Sequence, residues 1–233
     1  MIKALKLSFV VLFIILLNGC VHKNPVPKKE YNKDITIGIT SNLGDTFEYY
    51  FANMLYREHK YTSIDKWKID EFIENKLKEY LLKKGFHNIR IINPTEEIVL
   101  LKNQRKSFVY PEHKKVLYKL REKNNCDILI YIENIVNLGR MVIGKHSISS
   151  KNVSVNNTKF LNNNYANTLL AIVLYEKDNY KYAYRIEEKL IEKNFFDKNK
   201  SIYEKDNLEK IKPIIFSMID ESVKKYVDEF VIK

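Results

Sequence analysis

Cys126-Asp127-Ile128-Leu129-Ile130-Tyr131-Ile132-Glu133 is the stretch whose reading decides the fold. From Ile128 to Ile132 every side chain is apolar or aromatic, with polar residues closing both ends. A strand covered on both faces reads this way, and such strands lie in the middle of a sheet. Upstream, Pro111–Lys123 predicts a helix that buries Val116, Leu117 and Leu120, with proline in its first turn. Downstream, Thr168–Tyr175 and Lys181–Glu188 flank the turn Glu176-Lys177-Asp178-Asn179 and predict an antiparallel hairpin.

Further out, Ile35, Ile37 and Ile39 alternate with Thr36, Gly38 and Thr40, the period of a strand with one buried face. Phe47, Tyr50, Phe51, Met54 and Leu55 recur at helical spacing and predict a short helix. A longer helix is expected over Trp67–Lys84, with Ile69, Phe72, Ile73, Leu77, Tyr80 and Leu81 on one stripe. Asp65 is placed to cap it, and Gly85 follows its lysine-rich last turn. Asn88–Ile92 reads as a strand ended by Pro94, and Gly139–Gly144 as a further short one. Residues 145–164 are rich in Ser and Asn and read as a long loop or exposed hairpin, in which Val153 and Val155 alternate. A closing helix is expected over Pro213–Phe230. Helices alternate with strands first, and antiparallel strands come later. The expected class is therefore α/β: a mixed sheet with amphipathic helices packed on it, a C-terminal antiparallel hairpin and a closing helix.

The amino terminus carries an address. Lys3 and Lys6 precede an apolar run from Phe9 to Leu17, shorter than the roughly 20 residues a membrane-spanning helix needs. A basic start and a short apolar segment make a signal peptide. The run ends in Leu17-Asn18-Gly19-Cys20, which resembles the bacterial lipobox, although Asn18 stands where Ala or Ser is usual. The resemblance implies diacylglycerol on the Cys20 thiol and cleavage before it. It also implies sorting to the outer membrane where the host has two membranes, since Val21 rather than Asp follows the cysteine. The expected organisation is a signal peptide over residues 1–19 and a lipidated Cys20 with a Pro- and Lys-rich tether to residue 33. A single α/β domain is expected over 34–233.

The element order is also similar to the small α/β module of envelope-assembly lipoproteins. These are the amino-terminal domain of the Tol-system periplasmic protein and the periplasmic part of the curli-secretion lipoprotein. The likeness rests on Ile35–Thr40, the Trp67–Phe86 helix, and Cys126–Glu133 before a hairpin. It implies an assembly or binding role, although the pore-forming insertions of a secretion channel are missing here.

Chemistry-bearing residues give little more. There is no Gly-x-Ser-x-Gly elbow, His-Glu-x-x-His helix or P-loop, and His22, His59, His87, His113 and His146 have no metal-ligand spacing. Neither metal nor cofactor is expected. His59 and His87 read as surface residues at helix ends. With Cys20 lipidated, Cys126 has no partner for a disulfide and reads as a buried thiol. Asp70, Glu71 and Glu74 sit where acids favour a helix amino terminus. Asp127 and Glu133 bracket the central strand and stand where they could reach a pocket at its ends.

The chain carries 40 Lys and Arg against 29 acids, and signal removal takes away only Lys3 and Lys6, leaving a net charge of +9. Lys102, Arg105, Lys106, Lys114, Lys115 and Lys119, interleaved with Phe108, Tyr110 and Tyr118, form the densest basic stretch and the candidate anion-binding residues. A secretory address argues against nucleic acid as their partner and for an anionic lipid or polysaccharide. The expected function is a membrane-anchored, non-enzymatic binding or assembly module for another envelope protein. A binder of anionic lipid or polysaccharide is one alternative, and a hydrolase without a recognisable motif is another.

Overall fold

The computed structural model describes residues 30–52, 57–101, 111–133, 141–143, 146–148, 153–158, 163–177, 179–192, 195–196 and 204–232. Their strands are β1 (Glu30–Tyr31), β2 (Thr36–Ser41), β3 (Thr46–Ala52), β4 (Arg57–Ser63), β5 (Asn88–Ile91) and β6 (Ile128–Glu133). Then come β7 (Met141–Ile143), β8 (His146–Ile148), β9 (Val153–Thr158), β10 (Asn163–Tyr175), β11 (Tyr180–Ile191) and β12 (Val231–Ile232). The helices are α1 (Ile69–Lys83), α2 (Glu96–Leu101), α3 (Pro111–Lys123) and α4 (Lys205–Asp228).

The protein is a mixed α/β structure. Its main sheet runs β4-β3-β9-β10-β6-β2-β5, with β11 also paired to β10. One edge of β10 is shared. Its Ala171–Tyr175 segment pairs antiparallel with β6, and its Asn163–Thr168 segment pairs antiparallel with β9. β6 and β9 thus form one strand line, interrupted after Glu133 and resumed at Val153. The neighbouring line behaves alike: β2 pairs parallel with β6 and β3 pairs parallel with β9. That line breaks at Asn42–Asp45. A near half (β5, β2, β6) and a far half (β4, β3, β9) therefore meet at a seam, with β11 spanning both along β10.

Alternation sorts the side chains onto two faces. Ile37, Ile39, Phe47, Ile128, Ile130, Ile132, Val153, Val155, Ala166, Leu170 and Ile172 point to one face and form the main core. There they meet Ile69, Ile73, Leu77 and Leu81 of α1 and Ile211, Ile215, Ile219 and Val223 of α4, the stripes that helical periodicity selects. On the outer face Leu129, Tyr131, Val173 and Tyr175 pack with Ile92, Ile98 and the Leu117 and Leu120 side of α3. Gly38 lets the layers meet there: a Cβ would lie 2.7 Å from Ile92 Cδ1 and 2.9 Å from Cys126 Sγ.

Several expectations need correction. Phe47–Ala52 is strand, not helix; its aromatic residues satisfy helical spacing, but pairing with β4 and β9 places Phe47 in the core. Met54 and Leu55 lie outside the described residues. α1 begins at Ile69 behind Lys68, which has a left-handed backbone (φ 52°) and serves as N-cap. Asp65 instead opens a 3-10 turn ending at Trp67. α4 starts at Lys205, so Pro213 lies inside it; Ile211 is already in the buried stripe and outweighs the missing N–H. Gly85 follows α1 with φ 100°, a backbone that favours glycine there.

Candidate functional site

The seam concentrates the polar chemistry. Where β2 ends, acids of α1 take the backbone N–H groups of Ser41, Leu43 and Gly44, while Asn42 N donates to Ile132 O of β6 at 2.9 Å. Asp70 Oδ1 accepts from Leu43 N at 2.7 Å and from Ser41 Oγ at 2.5 Å, and Oδ2 accepts from Gly44 N at 3.2 Å. Glu74 Oε1 accepts from Ser41 N at 2.8 Å. Glu74 is buried, and desolvation pushes its carboxyl up to about 7 despite that hydrogen bond. These two acids act on the loop rather than as members of a solvated helix flank, while Glu71 stays on the surface with Lys68.

On the outer face two rows of side chains cross the near half. Thr40, Tyr131, Val173 and Tyr182 stand opposite one another through successive pairings, as do Glu133, Ala171 and Tyr184. Tyr180, Tyr182 and Tyr184 form a ladder along β11, with ring centroids 5.5 and 6.3 Å apart. Asn42 Nδ2 donates to Ile98 O at 3.1 Å and lies 3.4 Å from the Tyr131 hydroxyl. The Thr40 hydroxyl is fully buried and has no hydrogen-bond partner among the described residues. Burial pushes the Glu133 carboxyl up to about 7. Its charge raises the phenols of Tyr131, Tyr175, Tyr182 and Tyr184, although burial is the largest cause for each. Glu133 therefore faces a ring of phenols, as its place at the end of the central strand allowed.

The far half carries a second polar group. Tyr61, Glu48, Ser154, Asn167 and Glu188 stand in one row across β4, β3, β9, β10 and β11. Glu48 is fully buried and lies 2.6 Å from Nδ1 of His59, whose side chain is 44% exposed. Burial first, then Glu48, lifts the Tyr61 phenol to about 12. Ser154 Oγ and Asn167 Oδ1 are buried and have no hydrogen-bond partner among the described residues. His59 is thus mid-strand, not at a helix end, between the rings of Tyr50 and Tyr61.

Of the basic stretch, Lys115 and Lys119 are exposed one turn apart on α3. Lys114 turns inward, its Nζ lying 3.9 Å from the centre of the Tyr180 ring. Lys102, Arg105, Lys106 and Cys20 lie outside the described residues. Cys126 is buried, and desolvation raises its thiol above the ordinary range. Asp127 accepts from Thr36 N at 2.7 Å and ties β6 to β2. Sequence reading missed Glu48, Ser154, Asn167 and the tyrosine ladder as a group, because pairing alone makes neighbours of residues so far apart in the chain.

Among the described residues no helix is long and apolar enough to cross a membrane. No protein-family model and no curated protein matches the chain. Among solved structures it is similar to an uncharacterized protein, 6% identical, with TM-score 0.36 over 86% of this chain and 96% of that one. It is likewise similar to a hypothetical protein from Chlamydia trachomatis, 8% identical, with TM-score 0.37 over 83% of this chain and 98% of that one.

Proposed function

We propose that this chain is an envelope lipoprotein, held to a membrane through Cys20, whose α/β body uses the outer face of its sheet to bind another envelope component. One observation carries the binding half of the reading: half-buried Tyr182 and exposed Tyr184 stand beside the desolvated Glu133, and Tyr180 continues their ladder along β11. Aromatic groups with a polar handle are what recognition surfaces favour, because they supply contact area at little entropic cost. The address half rests on the basic start, the apolar run and Leu17–Cys20. A diacyl or triacyl cysteine meets the two-chain requirement for stable anchoring.

Two measurements test it. Intact mass of the protein from its native host should show a chain beginning at Cys20 with acyl mass added, and Cys20→Ser should abolish both cleavage and acylation. A photo-crosslinking residue at Tyr184 should capture a defined envelope component, while the same residue at Leu82, exposed on the helix side, should not. An unmodified or differently cut chain overturns the address, and equal capture from both positions overturns the binding face.

A second reading, an anionic lipid or polysaccharide as partner, is favoured by the exposure of Lys115 and Lys119 on one face of α3. Lys115→Glu with Lys119→Glu should then abolish low-salt binding to anionic vesicles. Unchanged binding ends that reading.

A further inference from the structure

We propose that Asp70 and Glu74 form a proton-operated latch on the seam. With one proton on the pair, the loop after β2 is held against α1; loss of that proton releases the loop and, through Asn42, its contacts on the outer face. The latch stands whether or not that face binds a partner.

Both carboxylates close on one residue. Ser41 donates its N–H to Glu74 Oε1 at 2.8 Å and its hydroxyl to Asp70 Oδ1 at 2.5 Å. The two acids are four apart on α1, where like charges oppose each other. Asp70 also accepts from Leu43 N and Gly44 N, and the loop turns at Gly44, whose φ of 93° favours glycine. Two carboxylates on one residue do not both ionise freely. Their donors decide which keeps its charge. Asp70 has three donors and is partly exposed, whereas Glu74 has one and is buried. The proton therefore belongs on Glu74.

The surroundings offer Glu74 no relief among the described residues. The charges that bear on it, Asp70 and Glu71, are both negative. Lys68 is engaged by Glu71 at 3.0 Å, and Lys78, one turn on, makes no ion pair with Glu74. Thr36–Ser41 of β2 has no ionisable side chain, and Arg90 of β5 turns to Asn124 O. From α4, Asp220 meets Tyr80 and Lys76 while Lys212 lies over Phe216, along another flank of α1. Asp45 closes the loop itself.

Asn42 carries the movement across the sheet. It sits between Ser41 and Leu43, both held by the acids. Its N–H donates to Ile132 O at 2.9 Å. Its side chain reaches the outer face, donating to Ile98 O of α2 at 3.1 Å and lying 3.4 Å from the Tyr131 hydroxyl. Displacing Ser41–Gly44 therefore disturbs α2 and Tyr131, on the side of the sheet away from the acids.

The closed loop holds the Glu74 carboxyl up at about 7, and opening hydrates it and returns it toward its ordinary 4.5. The closed state thus binds the proton more tightly. The latch is tightest below about pH 4.5, loosens as pH rises to about 7, and levels off above that. Full hydration would raise the opening equilibrium by about 300-fold, which is the ceiling.

The test is amide hydrogen exchange of the full chain in a non-ionic detergent at Ser41, Leu43 and Gly44, from about pH 4.5 to about pH 8. Each rate is divided by its intrinsic rate at that pH, and the Asn42 side-chain amide is followed by NMR in parallel. Opening at the three amides should grow at least about tenfold over that range, while Leu170 and Ile172 in β10 hold steady. The Asn42 side-chain resonances should follow the same midpoint. Glu74→Gln keeps an acceptor for Ser41 N and cannot ionise, so its loop should stay closed throughout. That variant also separates Glu74 from Glu133, which is raised to about 7 on the opposite face. Asp70→Asn removes a neighbouring charge and should move the midpoint to lower pH in a chain with the parent's NMR fingerprint. The inference is overturned if corrected exchange in the parent is flat with pH, if Glu74→Gln keeps the parent's dependence, or if Asn42 stays still while the loop amides open. Where Glu74→Gln does not fold, Asp70→Asn decides, and an unmoved midpoint overturns the latch.

Discussion

Replacing Asp70 by alanine should open the seam and cost the fold about 3–4 kcal/mol. The magnitude comes from the groups that Asp70 holds. It accepts three hydrogen bonds, from Ser41 Oγ, Leu43 N and Gly44 N. Each hydrogen bond to a charged acceptor contributes about 1.5–3 kcal/mol, so the simple total exceeds 4 kcal/mol. Asp70 is only partly buried, so water re-enters and recovers some of that loss. The position in the first turn of α1 adds about 0.3–1 kcal/mol through the helix dipole. For a chain of this size, 1 kcal/mol moves the melting temperature by about 2–4 °C, so a fall of roughly 6–15 °C is expected. Asp70→Asn keeps the shape and loses the charge, and should fall about halfway. Thermal denaturation of the mature protein measures the global cost, and amide exchange at Leu43 and Gly44 reports the local opening. A variant within about 1 kcal/mol of the parent, with those two amides still protected, refutes the clamp and returns Asp70 to an ordinary helix-terminal acid.

Three other perturbations follow from particular atoms. Gly38→Ala should destabilise by about 1–3 kcal/mol, since its Cβ would press on Ile92, Cys126 and Leu129 between two packed layers; urea denaturation reads this as a lower midpoint with an unchanged slope. Glu133 binds its proton more tightly folded than unfolded, so its contribution to stability is lost as pH rises from about 4.5 to about 7. Glu133→Gln should therefore be about 1–3 kcal/mol more stable than the parent at high pH and level with it in acid, by denaturation across that range. His59→Ala removes the imidazole from the buried Glu48 carboxyl and should cost about 1–3 kcal/mol, with Glu48→Gln in the same chain restoring part of it.

How much of this was legible depends on where the ordering forces lie. β2, β6 and α1 could be read because each buries a face whose period is written locally: Ile37 and Ile39, Ile128–Ile132, and the Ile69–Leu81 stripe. β4 could not. Arg57–Ser63 has no apolar alternation, and only pairing with β3 makes it a strand. β3 misled because its aromatics lie on both faces, Phe47 toward the core and Tyr50 toward the outer side, a run that fits period two and helical spacing alike. The polar groups were harder still. Glu74 sits in the first turns of an amphipathic helix, where a surface acid is the ordinary reading; the loop that folds over it makes it buried. Glu48, Ser154 and Asn167 come from three strands and became one row through registers that no local pattern specifies. Glu133 was the exception, since a lone acid closing an apolar strand is visible in the chain itself.

The seam gives these separate observations one cause. Two adjacent strand lines break at the same level, β2 before β3 and β6 before β9. A continuous ladder satisfies its own N–H and C=O groups, whereas a break leaves them to be met by side chains or water. On the helix side that demand is met in full view: Asn42 N donates to Ile132 O, and Asp70 and Glu74 take the amides of Ser41, Leu43 and Gly44. Acids near this break are therefore required by the backbone before any function is assigned to them, which is why Asp70 and Glu74 are poor candidates for binding. Glu133 stands on the opposite face of the sheet, so the same break has acids on both sides, and those on the helix side are held by the loop amides.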